Sequence, residues 1–261
     1  MITSNTSVQG DTLHAQTQKP SFVLYCDLDN VLLNTDAYKG YAKSRLRKLS
    51  SEYSEEKYAQ TYALNKSDIR MLCSELAAAF HIDVNDVQKI YFQDDLQPFL
   101  MEGAQDFLDA LVAHDEDIEC VIATSGDREF HESKIERLRE AFPQFADIFS
   151  DINVIIDPQK EQVVADAIQR SIEAGIQHVI LIDDRADVLE KIISLLPEKT
   201  RPLIHVIRMK FGTYEGQVIP ETLKPITTEV SSLEEAYGVI QKLYTPDMEP
   251  KAETFSAGMK R

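Results

Sequence analysis

Acidic, hydroxyl and amine side chains fall at four places in this chain, each just after a short apolar run. Asp27 and Asp29 follow Phe22 to Cys26, and Thr124 with Ser125 follows Cys120 to Ala123. Lys160 comes soon after Val154 to Ile156, and Asp183, Asp184 and Asp187 follow Val179 to Ile182. Carboxylates that converge repel one another, and a hard cation held by oxygen ligands offsets that repulsion, so Mg2+ is implied. Such an ion keeps open positions for phosphate oxygens. Lys160 adds positive charge and the Thr124 hydroxyl can donate a hydrogen bond, so the collection suits phosphoryl transfer.

These groups meet only if the runs before them are parallel strands. The four runs, and a fifth at Ile204 to Ile207, are rich in β-branched residues and too short for helices, so each reads as a buried strand. Helical spacing fills the intervals, as in Ala104, Phe107, Leu108 and Leu111, or Val188, Leu189, Ile192, Ile193 and Leu196. Alternating strands and helices predict an α/β fold, a Rossmann-like three-layer core with a parallel central sheet, whose carboxyl edge gathers the polar groups. A last helix starts at Ser232 with Glu235 three residues on, a capping box. Residues 38–96 break the rhythm with helical stripes and no convincing strand, which predicts a small all-helical insertion. The core is then 20–37 and 97–244. Residues 1–19 and 245–261 are polar and lack apolar periodicity, so they are expected to be a disordered N-terminal tail and a flexible C-terminal tail.

Composition narrows the function classes. A formal charge of -17 opposes a phosphate backbone, so extended nucleic-acid binding is not expected. The three cysteines are far apart beside apolar residues and read as buried free thiols of a reducing compartment. The six histidines form no i, i+4 pair, which argues against zinc. No apolar run approaches the roughly 20 residues of a membrane helix, and no ordinary secretion signal stands at the start. A soluble cytoplasmic protein is expected; oligomeric state is not legible.

YCDLDNVLLNT resembles the first motif of the haloacid dehalogenase superfamily and VIATSGD its second. Lys160, opening a helix after the third strand, is similar to the third motif, and LIDDRADVLE to the fourth; the resemblance spans roughly residues 21–243. It implies a phosphatase in which Asp27 attacks phosphorus and Asp29 serves as general acid and base. It further implies that Thr124, with Ser125 beside it, holds phosphoryl oxygens and that Lys160 neutralises them. Asp27, the backbone carbonyl of Asp29, Asp183 and then Asp187 would hold magnesium, with Asp184 the alternative to Asp187. Ile182 stands where many relatives have glycine, and Asp184 adjacent to Asp183 leaves that choice open. The insertion is similar to a cap that closes over the site, and this points to a phosphorylated small molecule as substrate. The alternatives are a phosphotransferase or phosphomutase on the same scaffold, an exported bacterial effector acting on a phosphoprotein, and a noncatalytic interaction protein.

Other polar residues have structural readings. Asp36 and Asp127 are expected to cap helices, and Asp157 to make a turn before Pro158. Arg128 and His131 fit an exposed first helical turn. Cys26 alternates away from Asp27 into the core.

Overall fold

The computed structural model describes residues 20–113, 118–149 and 153–244; both expected tails lie outside the described residues. Six strands make one sheet in the order β3-β2-β1-β4-β5-β6. They are β1 Phe22–Cys26, β2 Ile118–Thr124, β3 Val154–Ile156, β4 His178–Asp183, β5 Ile204–Met209 and β6 Thr227–Val230, and every pairing is parallel. Alternation within β1 explains its unbroken apolar character. Phe22, Leu24 and Cys26 enter one core and Val23 and Tyr25 the other, so both faces are covered. The first core is closed by α5 (Ala104–Val112), α6 (Arg128–Ala141), α7 (Pro143–Ile148) and α10 (Leu233–Tyr244), the second by α8 (Lys160–Glu173) and α9 (Ala186–Leu195). This is the expected three-layer α/β arrangement. The sixth strand was not expected, and α7 adds a second helix between Thr124 and Lys160.

The start of α10 pairs Ser232 with Glu235 as predicted, but the return bond goes to the residue before the cap. Ser232 Oγ accepts from Glu235 N at 3.1 Å, and the Glu235 carboxylate accepts from Ser231 N at 2.7 Å. Residues 35–92 form four helices: α1 Thr35–Leu49, α2 Glu55–Asn65, α3 Ile69–Phe80 and α4 Val84–Phe92. They enclose a third cluster of their own, including Ala42, Leu46, Tyr58, Leu72, Phe80 and Ile90. Tyr38 stitches α1 to α4, its hydroxyl donating to the Ile90 carbonyl at 2.6 Å. Arg137 of α6 donates to the carbonyls of Tyr91 and Asp94, which fixes the return from the helices to the sheet.

The segment after β5 is held from within. Arg208 is fully buried, donates to the carbonyls of Gln217 at 2.6 Å and Tyr214 at 2.7 Å, and pairs with Glu229 at 2.5 Å. Asp36 meets that segment too. It does not cap α1, whose N-cap is Asn34; instead its Oδ2 accepts from the Thr213 amide and hydroxyl.

Candidate active site

The chain leaves β1 toward β2 and β3, then crosses to β4 on the other side of β1. The carboxyl ends of β1 and β4 therefore flank the crevice where strand order reverses, the usual ligand position in such sheets. The ladder runs one residue past β1, the Asp27 amide donating to the Ile182 carbonyl at 2.9 Å, which sets Asp27 beside Asp183. Thr124 ends β2, and Lys160 begins α8 just beyond β3. Asp27, Thr124, Lys160, Asp183 and Asp184 are all buried.

Lys160 Nζ lies 2.9 Å from Asp27 Oδ1 and 2.6 Å from Asp183 Oδ2. Burial alone would lower the Lys160 pKa, but the Asp183 and Asp27 carboxylates hold it above its ordinary value. One ammonium does not balance the site. Asp27, Asp183 and Asp184 each bring a carboxylate oxygen within 4.8 Å of the others. Burial first, then the neighbouring carboxylates, push Asp27 and Asp184 well above the ordinary carboxylate range. Three hard oxygen donors so crowded can hold a metal ion, and a divalent cation there would reverse both shifts.

Asn30 supports the same corner. Its backbone is left-handed at φ 57°, which asparagine tolerates, and its Nδ2 donates to Asp184 Oδ2 at 3.2 Å. Its buried Oδ1 has no partner among the described residues. Asp187 is elsewhere. Its side chain is 54% exposed, bound by Arg185 at 2.6 Å and by Gln217 at 3.2 Å. The geometry thus brings Asp184, not the preferred Asp187, to Asp27 and Asp183. Asp187 sits in the first turn of α9, where its carboxylate turns to the Arg185 guanidinium.

Asp29 has a different setting. Lys134 Nζ reaches Asp29 Oδ1 at 2.5 Å, and the Thr35 hydroxyl donates to the same oxygen at 2.6 Å. Burial would raise the Asp29 pKa, but the Lys134 charge, with smaller help from His131 and Thr35, holds it well below the ordinary range. Lys134 is a residue that sequence reasoning missed. The signal was present: it shares the inward face of α6 with His131, Ile135 and Leu138, and a lysine inside an apolar stripe needs a partner. His131 itself is buried rather than exposed, because the same face turns it inward, its Nδ1 3.4 Å from Thr124 Oγ1. Burial, then the Lys134 charge, lowers its pKa to about 3, so it is neutral near pH 7.

Ser125 is exposed at a cavity of about 320 Å³ whose lining also includes Asp29, Tyr38, Tyr62, Phe130 and Lys134. Helices α1 to α4 and the sheet unit both contribute walls. Gly126 follows at φ 135°, where a Cβ would lie 2.9 Å from His131 Nε2. Asp127 caps α6 as expected, accepting from Phe130 N at 2.7 Å, and also takes the Ile69 amide of α3. Asp157 accepts from Gln159 N in the expected turn, and Arg128 donates to the Ile156 carbonyl. All three cysteines are buried and free, Cys26 among the core residues. No helix of the described residues is long and apolar enough to cross a membrane.

No family model and no curated protein matches the sequence. Solved structures do match the fold. A haloacid dehalogenase-like hydrolase from Burkholderia xenovorans is 15% identical with a TM-score of 0.63, over 87% of this chain and 99% of that one. A hydrolase of the same class from Bacillus subtilis, solved with magnesium bound, is 16% identical with a TM-score of 0.56, over 85% and 100%. A protein from Thermotoga maritima assigned as a β-phosphoglucomutase is 15% identical with a TM-score of 0.52, over 85% and 99%. With its parallel sheet and helices on both faces, the chain has the fold of the haloacid dehalogenase-like hydrolases.

Proposed function

We propose that this protein is a phosphatase that hydrolyses a phosphate monoester of a small molecule through a phosphorylated Asp27. The observation that carries the reading is the set of buried groups around Asp27: Lys160 at 2.9 Å, Asp183 and Asp184 within ligand distance, and Thr124 at the end of the adjacent strand. A carboxylate oxygen of Asp27 attacks phosphorus, the ester P–O bond breaks, and the leaving oxygen takes a proton that a monoanionic phosphate ester brings and passes through Asp29, whose own carboxylate is ionised beside Lys134. Water then attacks the same phosphorus, yields its proton to Asp29, and the acyl-phosphate P–O bond breaks to restore the Asp27 carboxylate. Lys160 and the Thr124 hydroxyl bind the phosphoryl oxygens throughout, and Ser125 lies at the mouth of the cavity that receives the rest of the substrate. Asp27, Asp183 and Asp184, with the Asp29 carbonyl, would hold Mg2+, whose charge keeps Asp27 ionised and polarises the phosphoryl group. Helices α1 to α4 serve as the cap that selects the substrate.

The test is phosphate release from an aryl phosphate near neutral pH, with and without Mg2+, for the native chain and Asp27→Asn. Turnover that needs Mg2+ and is lost in the variant is expected; activity surviving in Asp27→Asn would refute the nucleophile. The likeness to the Thermotoga protein favours a second reading, transfer of the phosphoryl group to another hydroxyl. Adding an alcohol and measuring its phosphorylated product separates the two.

A further inference from the structure

Resting on the phosphatase reading, we infer that the substrate carries a second anionic group besides its phosphate ester, a carboxylate or another phosphate, and that Lys66 and Lys39 on the helical side of the cavity bind it. At about 320 Å³ the cavity is at the small end of the range for ligand sites, so a small molecule fills it. Asp29 and Ser125 line it from the sheet unit. Lys39 of α1, Tyr62 of α2, Lys66 at the C-cap of α2 and the following Ser67 line it from the helices.

The charges within this cavity are unevenly matched. Three lysines and two aspartates line it. Lys134 is committed to Asp29 at 2.5 Å. Asp127 rests against the N-terminal ends of two helices, one oxygen accepting from Phe130 N at 2.7 Å and the other from Ile69 N at 3.0 Å. Lys39 reaches Asp36 only at 3.6 Å with 43% of its side chain exposed, and Asp36 turns its other oxygen to Thr213. A pair of that length and exposure holds weakly. The Lys66 ammonium has no ion pair or hydrogen bond among the described residues. Two cations without close anionic partners in one cavity, in a chain of net charge -17, point to an anion that the ligand supplies. The reacting phosphoryl group already has its own cation in Lys160, so these two answer to a different part of the ligand. The lining also holds the half-buried rings of Tyr62 and Phe130. Burial pushes the Tyr62 phenol up, and the Lys39 ammonium, the foremost charge acting on it, offsets part of that shift. A compact body with an apolar face and an anion at each end matches this arrangement.

The test offers the full chain, with Mg2+, three aryl phosphates of like shape: para-carboxyphenyl phosphate, para-phenylene bisphosphate and, without a second charge, para-carbamoylphenyl phosphate. The native kcat/KM is expected to favour one of the two charged compounds over the amide by about tenfold. The gain should lie in KM, since a group remote from the reacting atoms binds ground and transition state alike. Whichever compound gains more identifies the anion as carboxylate or phosphate. Lys66→Met and Lys39→Met should each shrink the ratio by roughly three- to fivefold, and the double variant should bring it near one. Lys89→Met, which removes an exposed charge from α4 outside the cavity, should keep the native ratio. A native ratio near one, a preference that survives in the double variant, or an equal loss in Lys89→Met would overturn the inference. Calorimetric binding of benzylphosphonates bearing a para-carboxyl, para-phosphonomethyl or para-carboxamide group needs no turnover. Tighter binding of a charged form, lost in Lys66→Met, supports the anion site even if every ester proves inert, a result that would refute the phosphatase reading alone. Equal binding of all three by the native chain overturns the site.

Discussion

Replacing Asp184 by Asn should make the metal-free protein more stable while removing most of its response to Mg2+. The carboxylate oxygens of Asp27, Asp183 and Asp184 lie within 4.8 Å of one another. At an effective dielectric near 20, each such contact between full charges costs about 3.5 kcal/mol or more, which Lys160 and partial protonation reduce. Asn keeps the oxygen that accepts from Asn30 and removes the charge, so a gain on the order of 1–3 kcal/mol is expected, or roughly 2–10 °C in Tm. The sign with pH follows from the raised pKa values of Asp27 and Asp184. Between about pH 4 and those raised values the native state binds protons that the unfolded state has released, so metal-free stability falls as pH rises. The gain from Asp184→Asn should shrink toward zero below about pH 4. The assay is thermal unfolding of native, Asp184→Asn and Asp187→Asn, each with EDTA and with millimolar Mg2+. The native chain and Asp187→Asn should gain stability on adding Mg2+ by mass action, and Asp184→Asn little. A drop in metal-free Tm for Asp184→Asn, or a Mg2+ response lost in Asp187→Asn and kept in Asp184→Asn, would refute the assignment of the acidic corner.

Two further substitutions test the rest of the site. Lys160→Met leaves two buried carboxylates without their shared cation, and should cost about 3–5 kcal/mol in metal-free urea unfolding as well as abolishing turnover. Gly126→Ala sets a Cβ against His131 at a backbone angle that L side chains rarely adopt, and should lower Tm by several degrees and reduce phosphate release; native-like values in both assays would show that the loop yields freely.

The strands before the polar groups were legible because burial on both sheet faces leaves continuous apolar runs such as FVLYC. β6 was not, since two of the four residues of TTEV are exposed on an edge and the segment carries no core pattern. Helix α2 was faint for a similar reason, burying only Tyr58. At the site, residues placed by a strand end could be read from local sequence. Asp183 and Asp184 are adjacent to β4, and Thr124 ends β2. The choice between Asp184 and Asp187 depends on where a helix turns its first residues, and on Arg185 offering Asp187 a nearer partner, which spacing alone does not reveal. Lys134 and Thr35 were out of reach for another reason. Their meeting at Asp29 is a tertiary contact between α6, α1 and the loop after β1, though the misfit of a lysine in an apolar stripe was visible.

The separate cluster inside α1 to α4 has a consequence for how such a molecule can change over time. Tyr58, Leu72, Phe80 and Ile90 lie within that cluster, which shares only the partly buried Tyr41 and Phe130 with the first core among the described residues, while β1, β4 and the start of α8, which present Asp27, Asp183 and Lys160, rest on two others. Drift in one hydrophobic interior need not be transmitted to the others, so the wall facing a reactant is free to diversify under selection while the atoms around Asp27 stay fixed.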